Sequence, residues 1–361
     1  MFKSINDKSW LWCKYYRKLK SRALCLLHQL TSIFYIRHKV IFYSPAAFQA
    51  NHVLPVINNL VVDGVVSVVL VGSFDKIKGC DYYSKIDDLP FFGKYSLYIA
   101  TDLCFPPAWM SVKTVFFGHG VGPKLDYQSD SSLRYFDYSF TACRPIHEVH
   151  KKSGISLVKV GLPILDNLGC VNGMGNGLNS TLNKPLIVYA PSWSGDSKRI
   201  SPLCKILTAL EVVENYRVIV SPHPNFFREG LSREFSGLEN SNVKLNYPDS
   251  GVSTYEMCMQ ADVVIGEISS VVFESMAIGR LVCFDGNEKI YKLSGAASVL
   301  ECFKKSVPVI DWEMDIDSQL DQAMSDTQWK EKREVFIRDY IFNVGEATNI
   351  FVKAIYKIIK I

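Results

Sequence analysis

A chain of 361 residues, 48% of them hydrophobic and 21% charged, is long enough to bury two cores of ordinary size and too apolar to be disordered. Its 40 basic residues against 36 acidic ones are too mild an excess to imply nucleic acid as a partner, and no RNA- or DNA-binding signature occurs. The ten cysteines are evenly spread, with no C-x-x-C pair and no Cys/His cluster at metal-ligand spacing; they read as reduced thiols of a cytosolic protein.

The first element is basic. Up to residue 39, Lys3, Lys8, Lys14, Arg17, Lys18, Lys20, Arg22, Arg37 and Lys39 face a single acid, Asp7. Trp12, Tyr15, Tyr16, Leu19, Ala23, Leu26, Leu27 and Leu30 recur between them at helical spacing, while Lys14, Lys18 and Arg22 share another face. This predicts a basic amphipathic helix. One reading lays residues 10–30 in the headgroup region of an anionic membrane; the other packs the helix on its own domain with a solvated basic face. No signal peptide is expected, because His28 interrupts the apolar part, and no stretch approaches the ~20 apolar residues of a spanning helix.

From residue 39 onward, β-branched and aromatic runs alternate with amphipathic segments: KVIFY (39–43), VVSVVLV (65–71), SLYIA (96–100), KTVFF (113–117) and LVKV (157–160). Buried parallel strands separated by helices give this pattern. Residues 169–183, rich in Gly, Asn and Ser, break it as a linker would. The rhythm then restarts with PLIVYA (185–190), YRVIVS (216–221), VKLN (243–246), DVVIG (262–266), LVCFD (281–285) and VPVI (307–310). The expected organisation is α/β throughout: an N-terminal segment 1–38, a Rossmann-like domain 39–168, the linker, and a second Rossmann-like domain 184–326. Helices over 327–361 follow, expected to return to the first domain.

Two doubly wound domains facing each other place a ligand in the cleft between the carboxyl ends of their strands, so polar motifs just after strands carry the weight. After KTVFF comes HGVGPK (119–124), where His119 stands between Gly118 and Gly120 and can turn into the cleft as a general base. The alternative is a histidine satisfied within a tight loop. After PLIVYA, Pro191 stops the strand, Ser192 offers a hydroxyl and Trp193 a flat face, for a base or for plain packing. In VSPHPN (220–225) two prolines hold His223 at the sheet edge.

The fourth motif is Ser269-Ser270, between strand DVVIG and a helix, SVVFESMAIGR, whose buried stripe is Val272, Phe273, Met276 and Ala277. The first N–H groups of a helix lack partners and carry about half a positive charge, so a diphosphate binds there with serine hydroxyls as further donors. Simple N-capping is the competing reading, and it needs one serine rather than two. Glu274, one turn on, is placed to accept from ribose hydroxyls.

HGVGPK, VKVGLPILD (158–166), YAPSW, PHP, ADVVIGEISSVVFESMAIGR and a fainter NVGEAT (343–348) stand in this order over roughly residues 96–350. The chain thereby resembles the CDP-glycerol glycerophosphotransferases, the teichoic-acid primases and polymerases, which are of GT-B type. The resemblance implies two Rossmann-like domains facing a cleft, with His119 as base, His223 at the phosphates, and Ser269 and Ser270 on the diphosphate. Gly120, Lys124, Ser192, Trp193 and Glu274 are read from their positions as further donor- and phosphate-binding residues. The chain departs from the family pattern at Ile268, where an aromatic is usual, at Glu274, where aspartate is, and at Ser194, which follows Trp193 where an arginine is common and so leaves that role to Lys198 or Arg199.

The implied reaction moves a polyol phosphate from a CDP-linked donor to a hydroxyl of a lipid-linked or saccharide acceptor. It would need no cofactor and, with no carboxylate cluster of the usual metal-binding kind, no metal. The enzyme would work on the cytoplasmic side, peripherally at the inner face of the plasma membrane. The alternative is a GT-B glycosyltransferase using a CMP-activated acidic sugar, Kdo or sialic acid. It requires a further carboxylate base, and VVDG (61–64) precedes a strand instead of following one. A non-catalytic nucleotide-sugar sensor or scaffold is the third reading.

Overall fold

The computed structural model describes residues 7–123, 125, 131–166, 184–192, 203–228, 242–247, 251–293 and 295–361. The expected linker, Lys124, Trp193, Lys198 and Arg199 lie outside them. Seven strands form the first sheet: β1 (Lys39–Ser44), β2 (Ser67–Gly72), β3 (Cys80–Tyr83), β4 (Tyr95–Ala100), β5 (Lys113–Phe116), β6 (Tyr138–Thr141) and β7 (Ser156–Lys159), in the order β3-β2-β1-β4-β5-β6-β7. Five form the second: β8 (Leu186–Ala190), β9 (Arg217–Val220), β10 (Val243–Leu245), β11 (Val263–Gly266) and β12 (Leu281–Phe284), in the order β10-β9-β8-β11-β12. Every pairing is parallel.

Strand order reverses between β1 and β4 in the first sheet and between β8 and β11 in the second. Chain segments leave these neighbouring strands in opposite directions there, which opens a crevice beyond their carboxyl ends. The segments after β1, β4, β8 and β11 are therefore the ones the topology aims at a ligand.

Two strands escape the sequence pattern and one expected strand is absent. At the sheet edge β3 is half-exposed and reads CDYY, with no apolar run. In β6, Ser139 and Thr141 break the run although both are buried: Ser139 Oγ bonds His150 Nδ1 (2.7 Å) and Thr141 Oγ1 bonds His147 Nδ1 (2.9 Å). VPVI contributes one parallel bridge, Val309 to Phe284, since Pro308 has no N–H to extend a ladder.

The helices are α1 (Asp7–Ser32), α2 (Ala47–Ala50), α3 (Leu54–Asp63), α4 (Arg144–Lys151), α5 (Leu203–Glu211), α6 (Pro224–Arg228), α7 (Thr254–Gln260), α8 (Ser270–Ala277), α9 (Glu288–Leu293), α10 (Ala297–Ser306), α11 (Ile316–Ser325), α12 (Gln328–Tyr340) and α13 (Ala347–Ile359). The last two tie the lobes together. Phe351 of α13 meets Phe117 and Phe140 edge-on at 5.0 and 4.9 Å, and Tyr356 donates to Asp63 at the end of α3 (2.9 Å). Asp166 accepts from the free N–H of Ala347 at the start of α13 (3.2 Å). Tyr340 of α12 stacks on Phe273 of α8 at 4.9 Å and donates to the Val121 carbonyl in the opposite lobe (2.9 Å).

Helix α1 rests on the first lobe through His28, buried among Phe91, Tyr95 and Trp109, and through Ser21, which donates to the Ala108 carbonyl. Leu26, Leu27 and Leu30 point away from that contact and are exposed, as are Ile33, Phe34 (85%) and Ile36 (96%) just beyond. The leucine stripe is thus not the face the helix buries on its own domain. No helix among the described residues is long and apolar enough to cross a membrane.

Candidate active site

A cleft of about 710 Å³ runs between the lobes, walled by the segments after β1, β5, β8, β9, β10 and β11. His119, His223, Ser269, Ser270 and Glu274 all line it, so one cavity collects motifs up to 155 positions apart in sequence. A second hollow of about 510 Å³, between 205–213 and 312–317, is lined by none of them.

His119 follows β5 on a loop where Gly118 and Gly120 have φ of 71° and 75°, values that L side chains resist. Its Nδ1–H donates to the Thr101 carbonyl (3.1 Å) at the end of β4. That fixes the neutral tautomer with Nε2 as the basic nitrogen. Thr101 is itself held by Oγ1, which bonds Ser44 Oγ (3.0 Å) and Gln49 Oε1 (3.3 Å). His223 has the opposite tautomer: the N–H of Asn225 donates to its Nδ1 (3.2 Å), so the neutral ring carries its proton on Nε2. One imidazole is set to take a proton and the other to donate a hydrogen bond.

The two serines answer the capping question. Ser269 is the N-cap of α8, with extended backbone, yet its side chain makes no capping hydrogen bond. Ser270 Oγ accepts from the N–H of Gly122, in the loop that carries His119 (2.8 Å). A Cβ on Gly120 would run into Ser270 Oγ, and one on Gly122 would lie 2.8 Å from the Ser270 nitrogen. The helix end and the histidine loop touch backbone to side chain, which is the physical reason for glycine at both positions. Gly120 therefore acts through lobe contact.

Below this contact, Glu274 is 2% exposed and its Oε1 meets His52 Nε2, from the first lobe, at 3.4 Å. Tyr255 has its hydroxyl buried without a partner beside them, and burial followed by the Glu274 charge pushes its pKa well up. Ser192 is buried and its hydroxyl unpaired; it stands behind Ala190 and Pro191, which line the cleft in its stead. Next to the serines, burial and then the Glu267 carboxylate push the Asp285 carboxyl well above the ordinary range. Asn287 bridges the two acids, its N–H to Asp285 Oδ1 (3.0 Å) and its Nδ2 to Glu267 Oε1 (2.7 Å).

Sequence reasoning missed Phe48 and His52, although SPAAFQANH (44–52) follows β1 as directly as HGVGPK follows β5. It also missed the polar set beyond β9 and β10, where Ser221 donates to Thr254 (2.9 Å) and Asn246 to Ser221 (2.9 Å). The motif-after-strand rule finds each of these when it is applied to every strand. Among the described residues no group of three or more His, Cys, Asp or Glu could hold a metal ion.

No protein-family model and no curated protein matches the sequence. Solved structures do match in shape. The wall teichoic acid polymerase TagF is 16% identical with a TM-score of 0.66, over 98% of this chain and 99% of that one. The UDP-GlcNAc 2-epimerase of Neisseria meningitidis, bound to UDP-GlcNAc, is 13% identical with a TM-score of 0.61, over 89% and 100%. S. aureus MnaA with UDP is 12% identical with a TM-score of 0.63, over 90% and 97%. The chain has the GT-B fold. Polymerase and epimerase share it, so the fold alone does not set the activity.

Proposed function

We propose that the protein transfers a polyol phosphate, glycerol or ribitol phosphate, from a CDP-linked donor to a hydroxyl of a lipid-linked or saccharide acceptor in cell-surface polymer synthesis. The observation that carries this reading is the N-terminus of α8, where the Ser269 side chain makes no cap, facing His119 and His223 in one interlobe cleft. His119 Nε2 takes the acceptor proton as the acceptor oxygen attacks the β-phosphorus in line. The bond from that phosphorus to the bridging oxygen breaks, and CMP leaves with the electron pair. His223 Nε2–H and the helix end with Ser269 and Ser270 stabilise the phosphate charge, the larger part of catalysis in such transfers. Lys124 and Trp193 belong to the donor side of this reading. TagF structures include ones soaked with CDPG, and the epimerase holds UDP-GlcNAc, which supports a nucleotide-activated donor. The exposed stripe of α1, with Lys20, Arg22 and Arg37 beside it, supports a peripheral position on the anionic cytoplasmic leaflet.

The test is release of CMP, or of UDP for the last, from CDP-glycerol, CDP-ribitol, CMP-Kdo, CMP-sialic acid and UDP-GlcNAc, each with a lipid-linked acceptor and with EDTA present. Turnover of a CDP-polyol is expected. Release from a CMP-sugar alone, or epimerisation of UDP-GlcNAc, overturns the assignment; turnover that returns only with a divalent cation overturns its metal-independence.

A further inference from the structure

Phe48 stands where no folding argument asks for it. It lies on α2, directly after β1 at the strand-order reversal, and is 37% exposed inside the interlobe cleft. It belongs to none of the three hydrophobic clusters of the described residues. Its ring meets His119 edge-on at 5.7 Å and His223 edge-on at 6.0 Å. A single phenyl group thus bridges the imidazoles contributed by the two lobes. Its position is held from the next residue, Gln49, whose side chain bonds Thr101 Oγ1 and Asp102 Oδ2 (both 3.3 Å).

We propose that Phe48 is a specificity-determining residue that excludes water from the space between His119 and His223, so that the activated phosphate is delivered to an acceptor hydroxyl and not hydrolysed. This rests on the phosphotransfer reading above. A base able to deprotonate an alcohol deprotonates water as readily, and hydrolysis of the donor needs only that a water sit beside His119. Water then takes the acceptor's place: its oxygen bonds the β-phosphorus, its proton goes to His119, the bond to the bridging oxygen breaks, and glycerol phosphate and CMP are the products. A retained water needs two to four polar partners. The phenyl ring removes partners on one side while offering the carbon skeleton of an alcohol an apolar surface, which water cannot use.

The experiment measures CMP release from CDP-glycerol and from CDP-ribitol with and without a lipid-linked acceptor, in the wild type, Phe48→Ala and Phe48→Leu, together with CMP affinity by calorimetry. Acceptor-independent release is expected to rise about 10-fold relative to transfer in Phe48→Ala, with Phe48→Leu near the wild type and CMP affinity within about twofold. A Phe48→Ala enzyme that slows but divides its donor between water and acceptor as the wild type does overturns the role of Phe48 alone. A wild type that turns over neither CDP-polyol overturns the phosphotransfer reading, and this inference with it.

Discussion

Replacing Ser269 and Ser270 by alanine one at a time separates a helix cap from a phosphate ligand. A serine that caps a helix loses about 0.5–2 kcal/mol on becoming alanine. Ser269 occupies the cap position without making the cap bond, so Ser269→Ala should cost under about 0.5 kcal/mol of stability. Ser270 accepts from Gly122 N–H across the lobes; removing its oxygen leaves that donor short of a partner, at about 1–3 kcal/mol. For domains of this size 1 kcal/mol moves Tm by about 2–4 °C, so Ser270→Ala should melt several degrees lower and Ser269→Ala at the wild-type temperature. Function should divide differently. A hydrogen bond to a charged phosphate contributes about 1.5–3 kcal/mol, which predicts a fall of roughly 10- to 100-fold in kcat/KM for both variants. The assays are thermal denaturation and CMP release from CDP-glycerol. A Ser269→Ala protein that melts several degrees low and keeps its kcat/KM would make Ser269 an ordinary cap and no phosphate ligand.

His119→Ala should lower turnover by about 10²- to 10⁴-fold while calorimetry finds CMP bound as before; unchanged turnover would remove it as the base. At Asp285 the raised carboxyl pKa means that the folded protein keeps a proton which the unfolded chain gives up near about pH 4. The resulting stability is fully present below that pH and is lost as pH rises toward the folded value. Asp285→Asn should flatten this decline and raise Tm at pH 8, and an unaltered pH slope would show that Asp285 does not carry it. Leu30→Ser with Phe34→Ser should cut co-sedimentation with phosphatidylglycerol vesicles several-fold at unchanged Tm, since both side chains are solvent-exposed; equal binding would detach α1 from any membrane role.

The core strands were legible because a parallel sheet covered on both faces reads as unbroken β-branched and aromatic runs, as β1, β2, β4 and β8 do. β6 was not, because its buried Ser139 and Thr141 are satisfied by His150 and His147 of α4, a partnership that exists only once helix and strand have docked. His119, His223, Ser269 and Ser270 were legible by one rule, polar residues directly after buried strands. The same rule cannot say which of those segments meet. That Gly122 lies on Ser270, His52 on Glu274, and Phe48 between two histidines depends on how the lobes are docked.

The docking is set by residues that carry no chemistry. Tyr340 grips both sides of the cleft, stacking on Phe273 of the serine helix and bonding Val121, two residues beyond His119, while α13 returns the chain to the first lobe through Phe351. In sequence α12 is an ordinary amphipathic helix. Its phenol nevertheless ties the His119 loop to the serine helix, because it contacts Val121 of the one and Phe273 of the other. A site assembled from two lobes takes its precision from the element they share, and that element bears no mark of the reaction in its sequence.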